Sequence, residues 1–172
     1  MAGVSNVKLL YLLSIAGARH SIDIQSPYFV LDSSTRDALD AALRRRVRVR
    51  ILTEGDKTDT RSVKAASRAA YQDLLETGYE IHEYQPTMMH AKAVIVDRRW
   101  ALIGSANFDN RSLELNDELT VAVDDAGLSQ ALTAAFERDL TRAHRLTAAE
   151  WRQRPMLERG FDAFWGLFNE VL

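Results

Sequence analysis

A short segment of this 172-residue chain concentrates side chains that can act on a phosphate ester. His90, Lys92 and Asp97 stand in H-x-K-x-x-x-x-D spacing, and Asn107 and Glu118 follow soon after them. An imidazole can attack phosphorus, while a lysine ammonium and an amide donor stabilise the charge that moves onto the non-bridging oxygens. Together, a nucleophile, a cation and an amide donor predict phosphodiester chemistry.

Three neighbouring residues are given supporting roles in this hypothesis. Asp97 falls at the end of an alternating run, so we expect it to shape the site. We nevertheless group it with the catalytic residues. Glu118 is the candidate to accept from the second imidazole nitrogen and so fix its tautomer. Ser105 follows Gly104 and could cap a turn or donate to phosphate, and we favour contact with substrate.

The elements that carry these residues follow from apolar alternation. The β-branched run 90–97 predicts a strand in which His90 and Lys92 leave the same face. A second strand, 100–104, follows at hairpin distance. An antiparallel neighbour of this kind would return Asn107 to the side of His90.

A helix predicted over 7–18 precedes strands and helices in the predicted order βαβαβββα, whose helices cover 35–46, 61–76 and 126–144. This order predicts an α/β domain in which a mixed sheet is sandwiched by helices.

Two loops follow strands of that sheet, 26–29 and 53–59, and should rim the same mouth as the histidine, because ligands lie at the carboxyl ends of strands. Tyr28 and Phe29 could contact an acyl chain or a glycerol group, or could pack at the strand exit. Arg111 could bind a headgroup, or could form a local ion pair with Asp109.

Two long segments of the chain resemble a known family. The segment "MMHAKAVIVDRRWALIGSANFDNRSLELNDELTVAV" resembles the phospholipase D superfamily and its bacterial cardiolipin synthase branch. The similarity extends upstream through "IDIQSPYFVLDSSTRDALDAALRRRVRVRILTEGDKTDTRSVKAASRAAYQDLLETGYEIHEYQP". The resemblance covers most of the chain. It implies metal-independent phosphatidyl transfer through a covalent phosphatidyl-histidine, with cardiolipin made from phosphatidylglycerol and no cofactor.

The chain departs from the family pattern by carrying one motif where the family has two. His20, His82 and His144 are not followed by lysine at the second position. The site would therefore be completed by a second copy in a twofold homodimer or by a missing half, and the resemblance is to the C-terminal half of a two-motif synthase. Two alternatives stay open: a hydrolytic phosphodiesterase, either phospholipase D or nuclease, and a non-catalytic half-domain that binds a partner or lipid.

Composition bounds the partners. The net charge is −2, there are no cysteines, and residues 1–172 fit one domain. We expect no nucleic acid as a partner, since proteins that bind it are basic.

No apolar run is long enough to span a membrane, so we expect a cytoplasmic protein that is peripheral on the inner face of the membrane. The arginine cluster 44–50 is interpreted as helix C-terminal charge and a solvent-facing strand.

The C-terminal segment, 156–172, is predicted to be an amphipathic helix. Its aromatic stripe recurs at helical spacing and comprises Phe161, Phe164, Trp165, Phe168 and Leu172. Such a stripe is typical of a helix that closes a core or of one that rests on a bilayer. We favour core packing, because the opposite face is not rich in lysine and arginine.

Overall fold

The fold was obtained as a computed structural model that describes residues 6–109 and 111–168, without the side chains of 114 and 115. Within those ranges the helices are α1 (Asn6–Gly17), α2 (Ser33–Arg44), α3 (Arg61–Ala69), α4 (Tyr71–Thr77), a π-helix (Arg111–Leu115), α5 (Ala126–Leu140), α6 (Ala148–Arg152) and α7 (Met156–Gly166). The strands are β1 (Ser21–Gln25), β2 (Phe29–Val30), β3 (Arg48–Glu54), β4 (Glu80–Tyr84), β5 (Ala93–Val96), β6 (Trp100–Gly104), β7 (Phe108–Asp109), β8 (Thr120–Asp124) and β9 (Ala143–Arg145).

The main sheet is mixed and has the order β8-β6-β5-β1-β3-β4-β9. β1, β3 and β4 are parallel, whereas β5, β6, β8 and β9 pair antiparallel with their neighbours. β2 and β7 form a separate parallel pair. Helices flank the sheet, so the predicted α/β class is confirmed.

This topology gathers the loops of interest at one edge of the sheet. Gln25 at the end of β1 is paired with Ala93 at the start of β5. Gly104 at the end of β6 is paired with Thr120 at the start of β8. The segments that follow β1, β3 and β6 and those that precede β5 and β8 therefore meet at the same edge.

Consecutive residues of the central strands face different hydrophobic clusters. Ile51 belongs to the larger cluster, with α1, α2 and α4, whereas Leu52 belongs to a smaller one with Phe136 of α5. Since successive strand side chains point to opposite faces, these clusters lie on the two faces of the sheet. No helix in the described part of the chain is both long and apolar enough to cross a membrane.

Two predicted helices are longer than the observed ones. The helix predicted over 61–76 is divided at Ala70 into α3 and α4. The helix predicted over 126–144 ends at Leu140, and β9 pairs with the edge of β4, placing His144 opposite Glu83. An unpaired strand edge offers backbone donors and acceptors, and β9 satisfies those of β4.

The arginine cluster has structural roles that the sequence interpretation missed. Arg45 donates to the carbonyls of Ile15 (3.1 Å) and Ala18 (3.3 Å) at the end of α1. Arg50 is buried and donates through Nε to Asp23 (2.7 Å), and its Nη2 pairs with Glu137 of α5 (2.8 Å). The expectation of a solvent-facing strand is therefore wrong for Arg50, whereas Arg48 is exposed and Arg44 lies in the last turn of α2, as expected.

Arg50→Ala is expected to lower the free energy of unfolding by about 3–5 kcal/mol, because it leaves the buried Asp23 carboxylate without its partner. Arg48→Ala, at an exposed position on the same strand, should change it by less than about 0.5 kcal/mol. Urea unfolding monitored by circular dichroism measures both. Equal losses in the two variants would show that the buried pair contributes nothing specific.

The C-terminal aromatic stripe is not part of the core. Phe161, Phe164 and Phe168 of the stripe are exposed, and Trp165 is half-buried. The expectation of core packing is wrong for these side chains, and Leu172 lies outside the described residues. α7 packs on α3 through a different face, which is described below.

Candidate active site

His90 and Lys92 lie in the segment that leads into β5. The predicted strand begins only at Ala93, so neither residue is a strand residue. Lys92 nevertheless stays beside β6, because Gly104 N donates to its carbonyl (3.4 Å). His90 is exposed, and the half-buried Lys92 donates through Nζ to the His90 carbonyl (3.0 Å). The two side chains of the motif thus share one short loop.

Ser105 fixes the segment that carries Glu118. The Ser105 hydroxyl donates to the Glu118 carboxylate and accepts from Leu119 N (3.1 Å), and Ser105 N donates to the Leu119 carbonyl (2.9 Å). Asn116 Nδ2 also approaches the carboxylate, at 3.5 Å. Ser105 therefore positions Glu118, and in this structure the carboxylate is bonded to Ser105 and Asn116 rather than to His90.

Asn107 follows β6 and lies beside a buried carboxylate. Its side chain hydrogen-bonds Asp109, whose pKa is raised by burial and lowered by the bonds from Ser112 and Asn107. Ser112 N donates to Asp109 Oδ1 (2.8 Å). Asn107 Oδ1 is buried and has no hydrogen-bond partner within the described ranges. Asn107 is thus held by the turn that leads into the π-helix.

The electrostatics of Lys92 show that several loops converge on it. Burial lowers the pKa of Lys92, and four nearby carboxylates oppose that effect by favouring the ammonium. They belong to Glu118, Asp59, Asp109 and Glu54. These carboxylates lie at the end of β3, in the loop after it, in β7 and just before β8, so these parts of the chain meet at the half-buried Lys92. Its ammonium is the group at this point that can pair with an anionic phosphate.

Tyr28, a predicted substrate contact, pairs near His90 with Asp59, which the sequence had not indicated as a site residue. The Tyr28 hydroxyl donates to Asp59 and lies 3.4 Å from Thr60 Oγ1. The bond from Tyr28 lowers the pKa of Asp59, and the nearby His90 lowers it further. Burial and the Asp59 bond raise the pKa of Tyr28 to about 12. Tyr28 therefore lies at the site, and its hydroxyl is engaged by Asp59.

Two of the predicted substrate-binding residues are not held among the side chains around Lys92. Phe29 is buried and stacks on Phe108, with ring centroids 5.4 Å apart, so its predicted substrate contact is replaced by core packing. Arg111 is exposed at the start of the π-helix, and Asp109 bonds Ser112 instead of pairing with it.

Asp97 lies at the opposite end of β5 from the histidine. Its carboxylate accepts from the backbone N–H groups of Arg19 (2.9 Å), His20 (2.7 Å) and Ser21 (2.9 Å). Burial opposes ionisation, but these three bonds dominate and lower the pKa of Asp97. The structure gives Asp97 a role in fixing the entry to β1 and corrects its grouping with the catalytic residues.

Glu54 adds a buried acid beneath the same edge. Thr58 donates to its Oε1, while Oε2 has no partner among the described residues. Burial raises the pKa of Glu54 to about 7, and Asp59 contributes in the same direction against the bond from Thr58. Glu54 is therefore the acid at this edge whose charge changes near neutral pH.

Glu54→Gln is expected to remove part of the pH dependence of stability. Between about pH 4.5 and 7 the folded chain keeps a proton that the unfolded chain releases, so the wild-type free energy of unfolding falls as pH rises through this window. The variant should gain about 1–3 kcal/mol relative to wild type at pH 8 and little at pH 4. Urea midpoints at both pH values measure this, with the exposed Glu158→Gln as control. An unchanged pH dependence in Glu54→Gln would contradict the assignment.

The chain is similar to known proteins in sequence and in fold. A family model described as "Cardiolipin synthase, PLD-like domain" matches residues 11–140. The chain is 38% identical over 163 residues to the probable cardiolipin synthase YwiE of Bacillus subtilis, covering 95% of this chain and 32% of that protein. It is 34% identical to cardiolipin synthase A of Serratia proteamaculans, over 94% of this chain and 33% of that protein. The chain thus spans about a third of the length of these relatives.

Solved structures share the fold. Nuc, a phospholipase D family member from Salmonella typhimurium, superposes with a TM-score of 0.70 at 22% identity, over 81% of this chain and 90% of that one. The phosphatidylserine synthase of Haemophilus influenzae gives a TM-score of 0.75 at 14% identity, over 99% of this chain and 46% of that one. The same fold therefore occurs in a chain of similar extent and as about half of a longer one. On the family match and on these relatives, the chain belongs to the cardiolipin synthase family of phospholipase D-like domains.

Proposed function

We propose that this chain supplies one half of a phosphatidyl-transfer site that makes cardiolipin from phosphatidylglycerol. The observation that carries the proposal is the convergence of Lys92 with Glu118, Asp59 and Asp109 at the sheet edge that also presents His90. The relatives named above are cardiolipin synthases, and they indicate the substrate.

The proposed reaction exchanges one phosphodiester for another in two steps. A histidine nitrogen attacks phosphorus, a P–N bond forms, and the P–O bond to glycerol breaks while a second histidine gives the departing oxygen its proton. That second histidine then takes the proton of an incoming hydroxyl of another phosphatidylglycerol. The new P–O bond replaces the P–N bond, releasing cardiolipin. His90 fills one of the two histidine roles, as nucleophile or as acid and base.

Lys92 and Asn107 would stabilise the charge on the non-bridging oxygens. Transition-state charge is stabilised best by donors that are already fixed in place. Lys92 is held by its bond to the His90 carbonyl, and Asn107 by the Asp109 turn. Ser105 and Tyr28 act on this account through the carboxylates of Glu118 and Asp59, which they orient.

A second motif would complete the site. Two copies of this chain can supply two equivalent histidines if they pair about a twofold axis, and a second half in a longer protein can do the same. The relatives are about three times as long as this chain, which supports the second arrangement. In either arrangement the partner contributes the second histidine of the site.

The covalent step predicts an isotope exchange that needs no metal. If a phosphatidyl-histidine forms reversibly, phosphatidylglycerol incubated with deuterated glycerol should acquire the label, because the released glycerol and the added glycerol compete for the same intermediate. We expect this exchange to continue in EDTA at an undiminished rate, since Lys92 provides the cation. Mass spectrometry of the lipid measures it. Cardiolipin formation without exchange would contradict the covalent intermediate, and loss of activity in EDTA would contradict the metal-free account.

Hydrolysis is the second candidate, because His90 is exposed in this chain. Water that reaches the intermediate would release phosphatidic acid instead of cardiolipin. The same residues would act, and only the acceptor would differ. A site closed by a second half would exclude water and favour transfer.

A further inference from the structure

Helix α7 is held on α3 by its small and acidic face. Asp162 of α7 is buried and accepts from Arg154 Nη1 (2.6 Å), and the Arg154 guanidinium lies 3.3 Å from the centroid of the Trp151 ring. Gly166 lies so close to α3 that a Cβ there would come within 2.7 Å of the Ala69 Cβ. These contacts fix which face of α7 meets the protein.

The opposite face is apolar throughout. At about 100° per residue, seven positions of α7 and the turn after it fall within an arc of roughly 140°. We call this surface the apolar arc; it comprises Met156, Leu157, Gly160, Phe161, Phe164, Leu167 and Phe168. All seven are exposed, with Leu157 at 90% and Phe164 at 54%. An exposed contiguous patch of this kind on a folded domain marks a site of interaction.

The apolar arc borders the mouth of the proposed site. Leu157 and Phe161 line a cleft of about 470 Å³ whose other wall includes Thr58 and Arg61. Thr58 belongs to the loop after β3, and the next residue, Asp59, holds Tyr28 beside His90. The apolar arc and the loop after β3 therefore share one cleft.

The cleft carries charges of both signs: Asp56 pairs with Lys64 and Asp162 with Arg154, whereas Arg61 and Glu158 are exposed. Arg61 is exposed at the start of α3, and within the described residues its guanidinium makes no ion pair. Arg159 is also exposed, on the flank of α7 that lies away from this cleft. Arginines beside an apolar helical face are attracted to anionic headgroups.

We propose that the apolar arc is the contact through which this chain rests on the surface of an anionic phospholipid bilayer. None of its seven positions carries a hydrogen-bonding side chain, whereas protein interfaces combine an apolar centre with polar partners. The inference rests on the proposed function in one respect, since a phosphatidylglycerol substrate lies in such a bilayer. Seated in this way, the arc would bring the lipid surface to the cleft beside Asp59.

Flotation with phosphatidylglycerol vesicles tests the contact without requiring turnover. The experiment uses the chain with His90→Ala, so that no lipid is consumed. Adding Phe161→Ser and Phe164→Ser should raise the lipid concentration for half-binding at least tenfold, because both side chains would leave water on binding. The matched control adds Leu9→Ser and Leu13→Ser, which are 47% and 62% exposed on α1, against 51% and 54% for the two phenylalanines. The control should float as the parent does.

The possible outcomes separate this inference from the proposed function. Equal flotation of the phenylalanine variant and its parent would overturn the inference, whatever the activity. A fall in native mass caused by the phenylalanine changes, with flotation retained, would overturn it in favour of a protein interface. Flotation that depends on the apolar arc supports the inference. If the chain with His90 intact turns over no lipid, that result counts against the proposed function alone.

Discussion

His90→Ala is expected to lower phosphodiester turnover by at least about 10⁴-fold, the scale of losses when a nucleophile or its acid–base partner is removed. The motif offers no substitute, since the nearby side chains of Asp59 and Glu118 are committed to Tyr28 and Ser105. The fold should be unaffected, because His90 is exposed and its imidazole makes no hydrogen bond within the described residues. Turnover of phosphatidylglycerol and the melting temperature measure the two effects.

His144→Ala is the matched control for this loss. His144 is also an exposed histidine, but it lies on β9 at the far side of the sheet from β5. Its replacement should leave turnover within about twofold of wild type, as expected for a surface change away from the site. Retained activity in His90→Ala, or equal losses in both variants, would remove His90 from the mechanism.

Lys92→Met is expected to lower kcat by about 10²–10³-fold and to change KM little, because the charge on the non-bridging oxygens grows only as the transition state forms. Methionine preserves most of the apolar stem of this half-buried side chain and removes only the ammonium. Steady-state kinetics on phosphatidylglycerol separate the two parameters.

Lys57→Met serves as the control, since Lys57 is exposed and its Nζ donates to the Pro86 carbonyl. It should retain wild-type kcat. A Lys92→Met variant in which only KM rises would show that Lys92 binds the ground state and transition state equally, which would contradict its proposed role.

Much of the fold follows from local pattern. The helix predicted over 61–76 ends one residue later, at Thr77, where Gly78 follows with a φ of 112° that other residues rarely adopt. The limits of β5 were less predictable, because the alternation of 90–97 continues beyond the four residues that pair with β1. Strand ends are set by the partner strand, which a single sequence does not display.

The site was predictable where a motif supplied the spacing and less so elsewhere. Three acids lie close together in the sequence, Glu54 at the end of β3 and Asp56 and Asp59 in the loop after it. Nothing in the sequence distinguishes Asp59, which the structure pairs with the Tyr28 hydroxyl. The sequence left Phe29 open between substrate contact and packing, because adjacent aromatic residues give no sign of which one turns inward. Here the pairing with Phe108 decides for packing.

The orientation of α7 illustrates the same limit. Its apolar stripe suits a buried helix or an interfacial one equally well. The deciding residues are those outside the stripe: Asp162 pairs with Arg154, and Gly166 allows close approach to Ala69. The face that packs is therefore recognised from polar and small residues, which an analysis of apolar periodicity ignores.

The most direct measurement of the central claim is to incubate the purified chain with phosphatidylglycerol vesicles in EDTA and to identify the products by mass spectrometry. Phosphatidyl transfer predicts cardiolipin and glycerol in equal amounts, both absent with His90→Ala. Phosphatidic acid and glycerol without cardiolipin would contradict transfer and identify the chain as a hydrolase.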